Sequence, residues 1–109
     1  MSLTWKQAMH DFENFLRLEK SLSENSIMAY QDDVQKLERF FSEKGNGIEP
    51  AAVTYNDLKE FVFWYGSDCS NTRTQSRVLS GIRAFYRFLL LEGEISDNPS
   101  SLIESPKIG

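Results

Sequence analysis

The chain is poor in the residues that build covalent and metal-centred sites. Its 109 residues include one cysteine, Cys69, and one histidine, His10. A lone cysteine excludes an internal disulfide and a cysteine-ligated metal cluster. A lone histidine excludes a zinc site with several histidine ligands and offers no Ser-His-Asp or Cys-His arrangement. We therefore expect no metal, no cofactor and no catalytic residue here, and we expect Cys69 to be a reduced thiol in a loop.

The sequence also lacks long apolar runs. None reaches the roughly 18 residues of a membrane span, and the N-terminus does not show the basic and then apolar layout of a signal peptide. We expect a cytoplasmic protein with no membrane contact. A chain of 109 residues with 40% hydrophobic residues is large enough for one core but not for two. The sequence therefore predicts a single globular domain.

Basic residues are outnumbered, but they are unevenly distributed. The chain has 16 acidic residues against 12 Lys and Arg, for a net charge of −4. Residues 1–68 carry twelve acids and seven bases, whereas residues 70–91 carry four bases and no acid. The net charge argues against indiscriminate binding to polyanions, and the segregation of charge leaves one basic segment that is suited to them.

Capping patterns divide the chain into four helices. Ser, Thr, Asp and Asn favour helix starts, and Gly favours helix ends. Apolar residues recur between these signals at spacings of three and four, and no useful strand alternation occurs. The sequence therefore predicts an all-α fold. The predicted starts are Thr4, Ser23 or Asn25, Thr54 and the loop 67–71, and the predicted ends are Leu18, Gly45, Gly66 and Gly93.

The fourth predicted helix, within residues 70–91, has two chemically distinct faces. At about 100° per residue, its arginines and two of its serines fall within an arc of roughly 120°. This basic face consists of Arg73, Ser76, Arg77, Ser80, Arg83 and Arg87. The opposite face is apolar and consists of Val78, Leu79, Ile82, Phe85, Tyr86, Phe88 and Leu89. Four arginines without an acid suit phosphate contact, although a polar helix face is also what ordinary solvated surfaces show.

The start of the second helix is a further candidate for phosphate binding. Residues 23–26, Ser-Glu-Asn-Ser, place side-chain donors beside free backbone N–H groups at the positive end of a helix dipole. Ser23 and Asn25 are also common capping residues, and the pattern taken alone favours this purely structural role.

Two segments together resemble the N-terminal, SAM-like core-binding domain of tyrosine recombinases of the Xer and phage-integrase family. The first segment, residues 18–41, reads LEKSLSENSIMAYQDDVQKLERFF, and the second, residues 77–107, reads RVLSGIRAFYRFLLLEGEISDNPSSLIESPK. They are similar to the family's Leu-x-x-Asn-Thr with a following Ala-Tyr and spaced Asp, and to its Leu-Ser-Ala-(Ile/Val)-Arg with later Glu-Gly, Asn-Pro and Pro-Lys. Ser26 replaces the usual Thr and keeps the hydroxyl. Gly81 replaces the usual Ala, which lowers helix propensity and allows a closer backbone approach.

This resemblance implies a four-helix SAM-like orthogonal bundle of two helix pairs. Residues 1–104 would form the core-binding domain, and residues 105–109 would begin a linker to a C-terminal catalytic domain. In that family the second and fourth helices face DNA, as one arm of a clamp on the recombination site. The implied partners are double-stranded DNA and the other recombinase protomers of a tetrameric complex, and this chain alone would not cut DNA. The implied DNA-binding residues are Arg77, Arg83, Arg73, Arg87, Ser76, Ser80, Asn25, Ser26 and Lys20.

A helical protein-interaction module is the alternative function. SAM-like bundles also bind other proteins, and exposed apolar residues outside the core would favour that function. Trp64 and Leu90 are the candidates, because the helical wheel places Trp64 away from the other apolar residues of the third helix. We expect the isolated domain to be monomeric.

Overall fold

The computed structural model describes residues 3–45, 47–68 and 72–103. It contains four α-helices, α1 (Trp5–Leu18), α2 (Glu24–Lys44), α3 (Tyr55–Asp68) and α4 (Thr72–Leu91), and a 3₁₀ helix at Pro50–Ala52. No strand occurs in these three ranges. The predicted all-α class and the four helices are confirmed. The 3₁₀ helix was not predicted. It begins at Pro50, whose ring fixes φ near the helical value.

Side-chain caps start the helices at the predicted positions. Thr4 and Gln7 form the full capping box, with Gln7 N donating to Thr4 Oγ1 at 3.1 Å and Thr4 N donating to Gln7 Oε1 at 3.2 Å. Ser23, rather than Asn25, caps α2. At α3, Asp57 N donates to Thr54 Oγ1 at 3.2 Å, and Thr54 N donates to Asp57 Oδ2 at 2.9 Å. Local sequence therefore determines where these three helices begin.

Glycines end two of the helices as predicted. Gly45 follows α2 with φ 73°, and Gly93 follows α4 with φ 75°. This left-handed conformation suits glycine, which has no Cβ to clash with the backbone. Helix α3 continues past Gly66 to Asp68. The remainder of the predicted loop 67–71, including Cys69, lies outside the described residues.

The core is built around α4. Helix α2 packs most extensively against α4, α1 covers both, and α3 contacts α4 less. The Phe12 ring of α1 lies 5.4 Å from the Phe85 ring, 5.6 Å from Phe88 and 6.2 Å from Tyr30 of α2. All seven residues of the predicted apolar face are buried. Their burial directs the opposite side of α4 towards solvent.

The segment after α4 folds back onto the bundle. Asn98 Oδ1 accepts hydrogen bonds from Ser100 N at 2.9 Å and from Ser100 Oγ at 2.6 Å, which closes a tight turn. Ile103 is buried beyond this turn, whereas Leu102 is 72% exposed. The linker predicted at residues 105–109 lies outside the described residues, so its boundary stays a prediction.

Across the described part of the chain, no helix is both long enough and apolar enough to cross a membrane.

Candidate nucleic-acid interface

The basic face predicted for α4 lies on the solvent side of the helix. Arg73, Arg77, Ser80 and Arg87 are exposed, and Ser76 and Arg83 are partly buried. No acidic residue occurs within α4. The helix therefore presents arginines and hydroxyls on the side that does not pack. Arg77 and Arg83 of this face are held by groups from elsewhere in the chain.

Arg77 is held by Asp33 of α2. Its Nη2 lies 2.7 Å from Asp33 Oδ1, and its Nη1 lies 3.4 Å from Asp33 Oδ2. The Asp33 side chain is 1% exposed, whereas that of Arg77 is 52% exposed. A guanidinium has five N–H donors, so three remain after this two-bond contact. Arg77 is thus fixed on its inner side and still able to donate hydrogen bonds on its outer side.

Burial disfavours the charged form of the Asp33 carboxyl group, and nearby cations offset this only in part. Burial raises the pKa of Asp33 from 3.8 to about 6, although Arg77 and Lys36 lower it in part, and Asp32 adds to the rise. At neutral pH Asp33 is therefore ionised and compensates the charge of Arg77. Sequence reasoning missed Asp33 as the partner of Arg77. Asp33 and Arg77 are 44 residues apart, and no local pattern connects them.

Gly81 makes room for the buried carboxyl group. A Cβ atom at this position would lie 2.1 Å from Asp33 Oδ2 and 2.8 Å from both Asp33 Cβ and Cγ. Contacts this short are not sterically possible, so the bare α4 backbone at Gly81 is what lets Asp33 lie against the helix. A closer backbone approach was expected at Gly81, and the group that lies against it is instead the Asp33 side chain.

Arg83 holds the segment that follows α4. Its Nη2 donates a hydrogen bond to the backbone carbonyl of Ile103. This contact joins the basic face of α4 to the end of the folded-back segment, and it was not expected from the sequence. The role of Arg83 in DNA binding stays a prediction.

The amino-acid sequence matches the model of a known domain family. Residues 9–93 match the model of the phage integrase N-terminal SAM-like domain. The chain belongs to this family. No solved structure matches the chain at a significant level.

Curated relatives of this integrase SAM-like domain are tyrosine recombinases. Tyrosine recombinase XerD of Oceanobacillus iheyensis is 32% identical over 100 residues, which cover 92% of this chain and 34% of that protein. Tyrosine recombinase XerC of Bacillus subtilis is 36% identical over 97 residues, which cover 88% of this chain and 31% of that protein. Tyrosine recombinase XerD of Pseudomonas aeruginosa is 30% identical over 98 residues, which cover 90% of this chain and 32% of that protein. The chain thus spans about a third of the length of these relatives.

The hydroxyl groups of the SAM-like domain's basic face are partly engaged. Ser80 Oγ donates to the backbone carbonyl of Ser76 at 3.1 Å, which leaves the oxygen of Ser80 able to accept a hydrogen bond. The Ser76 hydroxyl is itself buried. Ser80 is therefore more accessible to a ligand than Ser76.

The predicted phosphate site at the start of α2 is built mainly as a helix cap. Ser23 Oγ accepts from Ser26 N at 3.3 Å and donates to Ser26 Oγ at 3.2 Å. Asn25 is exposed, and the Lys20 ammonium lies 5.8 Å from the centre of the Phe15 ring. Ser26 precedes Asp33 by two helical turns and shares its side of α2, about 10 Å along the axis. The start of α2 is thus in line with the Asp33–Arg77 pair, and DNA contact by Ser26, Asn25 and Lys20 stays a prediction.

Proposed function

We propose that this chain is the DNA-binding arm of a site-specific tyrosine recombinase, one half of a clamp on recombination-site DNA. The observation that carries the proposal is the basic face of α4, a helix without acidic residues whose Arg73, Arg77 and Arg87 are exposed, in a protein whose net charge is −4. Selective exposure of arginine on one helix favours a polyanion as the ligand of that helix.

Helix α4 has the reach that contact with duplex DNA requires. Arg73 and Arg87 are 14 residues apart on the same side of the helix, which corresponds to about 21 Å along its axis. A B-DNA major groove is about 12 Å wide, so these two arginines can contact phosphates on opposite sides of one groove. Arg77 lies between them with a fixed guanidinium, which suits it to one defined phosphate or guanine edge.

The breaking and rejoining of DNA is proposed for the longer protein and not for this domain. The curated relatives are named tyrosine recombinases and are about three times as long as the matched segment. We propose that a catalytic domain beyond this chain supplies the chemistry, and that duplex DNA and further protomers of a tetrameric complex are the partners. The SAM-like domain would position the DNA through contacts to its backbone.

Titration of a labelled duplex by matched variants tests the DNA-binding role. Arg73→Gln removes one positive charge from the basic face, and Lys59→Gln removes one from the exposed surface of α3. We expect the first variant to bind several-fold more weakly than the parent, with a salt slope reduced by about one. The second should bind like the parent. Equal affinities for all three proteins, each verified as folded by circular dichroism, would contradict the assignment of the face.

Protein interaction is the second candidate, and exposed apolar residues favour it. Trp64 is 39% exposed, Leu90 is 40% exposed, and the neighbouring Phe63 is 79% exposed. Trp64 and Phe63 line a groove of about 670 Å³ together with Phe40, Asn56, Lys44, Lys59 and Glu60. Sedimentation of the free domain, with a Phe63→Ser variant as comparison, separates the two functions. If the parent domain self-associates but does not bind DNA, and Phe63→Ser abolishes the self-association, the interaction module would be favoured.

A further inference from the structure

A polar groove extends the basic face of α4 onto the turn that follows the helix. The groove has a volume of about 490 Å³. Its lining combines two arginines with hydroxyl and amide groups, and none of its described lining residues is acidic. The lining residues are Ser80, Arg83, Ala84, Arg87, Asn98, Ser100 and Ser101.

Two acids of the segment after α4 line a neighbouring groove. Glu94 and Asp97 line this groove of about 690 Å³ together with residues 51–55, and Asn98 and Ser101 line both grooves. Neither acid lines the groove beside α4. Although the segment is acidic in sequence, the described residues that line the groove beside α4 offer an anion only positive and neutral groups.

The groove is held in shape by contacts within the protein. The Arg83 guanidinium donates to the Ile103 carbonyl, which fixes the far end of the segment against α4. Asn98 Oδ1 accepts from both the N–H and the hydroxyl of Ser100, and Ser100 is 2% exposed. These bonds orient the turn before any ligand arrives, so a ligand would not have to order it.

We infer that this groove binds one backbone phosphate of the duplex, through Arg87 of α4 and Ser101 of the turn. The inference rests on the proposed DNA-binding function and extends the contact surface beyond the matched family region, which ends at residue 93. Arg87 and Ser101 are both exposed. Arg87 supplies the charge, and the Ser101 hydroxyl donates to a phosphate oxygen. Arg83 acts as a positioning residue through the Ile103 carbonyl.

A pair of serine substitutions tests the groove without altering α4. Ser101→Asp places a negative charge at the groove. Ser96→Asp adds the same charge to the same segment, at an exposed residue that lines only the other groove. In titrations of a fluorescein-labelled duplex of mixed sequence, we expect Ser101→Asp to weaken affinity by about tenfold at low salt. Ser96→Asp should weaken the affinity by no more than about twofold, because its charge lies at the other groove and is screened by salt.

A double variant tests whether the two groups share one phosphate. If Arg87 and Ser101 hold the same anion, Arg87→Gln combined with Ser101→Ala should cost less than the product of the two single losses. Independent, multiplicative losses would overturn the shared site, as would equal affinities of Ser101→Asp and Ser96→Asp. If the groove does not bind phosphate but α4 does bind DNA, Arg73→Gln should still weaken the affinity for the duplex. Failure of the DNA-binding function would remove the response to every one of these variants.

Discussion

Asp33 and Arg77 join α2 to α4 through a buried carboxylate and a half-exposed guanidinium that lie 2.7 Å apart. The pair has both a structural and a functional consequence. A buried ionised carboxylate is costly without its partner, so Arg77 contributes to the stability of the fold. The same contact fixes an arginine at the centre of the proposed DNA surface, and it leaves part of the guanidinium exposed.

Removal of Arg77 should destabilise the domain. Arg77→Ala leaves the Asp33 carboxylate buried without its cation, and we expect the free energy of unfolding to fall by about 3 kcal/mol at neutral pH. Asp33→Asn in the same chain removes the unpaired charge and should recover most of that loss. Urea unfolding of the two single variants and the double variant measures the coupling. Strictly additive losses would show that the pair does not act as a unit.

This result also affects how DNA-binding experiments are designed. A loss of affinity in Arg77→Ala would mix a weakened fold with a lost contact. Arg87 is a better probe of binding, because its side chain is exposed and the buried Asp33 carboxylate is paired with Arg77 instead.

The stability of the domain should carry a pH dependence from Asp33. Its pKa is raised to about 6 in the folded protein from 3.8, so the folded state binds this proton more tightly than the unfolded state. The contribution of Asp33 to the free energy of unfolding is fully present below about pH 4 and is lost as the pH rises through about 6. This difference between the folded and unfolded pKa of Asp33 corresponds to about 3 kcal/mol. We expect the difference in unfolding free energy between the parent and Asp33→Asn to fall by about this amount from pH 4 to pH 7.

Subtracting the Asp33→Asn curve removes the contributions of the other acids. Glu13 is one of them, and its pKa is lowered chiefly by its hydrogen bond with Arg17. A difference between the parent and the variant that stays constant over this pH range would contradict the burial and ionisation assigned to Asp33.

Helix positions could be predicted from the sequence because their signals are local. Thr4 and Gln7 lie three residues apart and cap the same helix turn, and Gly45 directly follows the helix that it ends. The apolar period of α4 likewise assigned its core face correctly, since burial of one side follows from spacing alone. These local signals established the all-α class and the order of the helices.

The internal partners of the arginines could not be predicted in this way. Asp33 and Arg77 are 44 residues apart, and Arg83 reaches the carbonyl of Ile103, a backbone group that leaves no mark in the sequence. A helical wheel gives the direction of a side chain but not what meets it from another helix. The wheel therefore identified the basic face, and only the structure showed that Arg77 and Arg83 are anchored by groups from other parts of the chain.

Gly81 should be required by the Asp33 side chain. Alanine normally stabilises a helix interior by up to about 1 kcal/mol relative to glycine. At Gly81 its Cβ would overlap Asp33 Oδ2, at 2.1 Å, so we expect Gly81→Ala to lower the free energy of unfolding by about 1–3 kcal/mol. Thermal and urea unfolding measure this change.

Gly66 offers a matched control within α3. A Cβ there would lie 3.4 Å from Gln75 Oε1 as its nearest neighbour, close to an ordinary contact with the end of a flexible side chain. Gly66→Ala should therefore be neutral or stabilise the domain. If Gly81→Ala were as stable as Gly66→Ala, the close packing of Asp33 against α4 would be wrong.

The salt dependence of duplex binding tests the central claim most directly. The measurement compares the parent with a double variant, Arg73→Gln with Arg87→Gln, which removes two exposed charges from the basic face of α4. If both arginines contact phosphates, the slope of log K against log salt should fall in magnitude by about two, and the affinity at low salt should drop accordingly. An unchanged slope and affinity in a variant that folds like the parent would contradict the assignment of α4 as the DNA-binding helix.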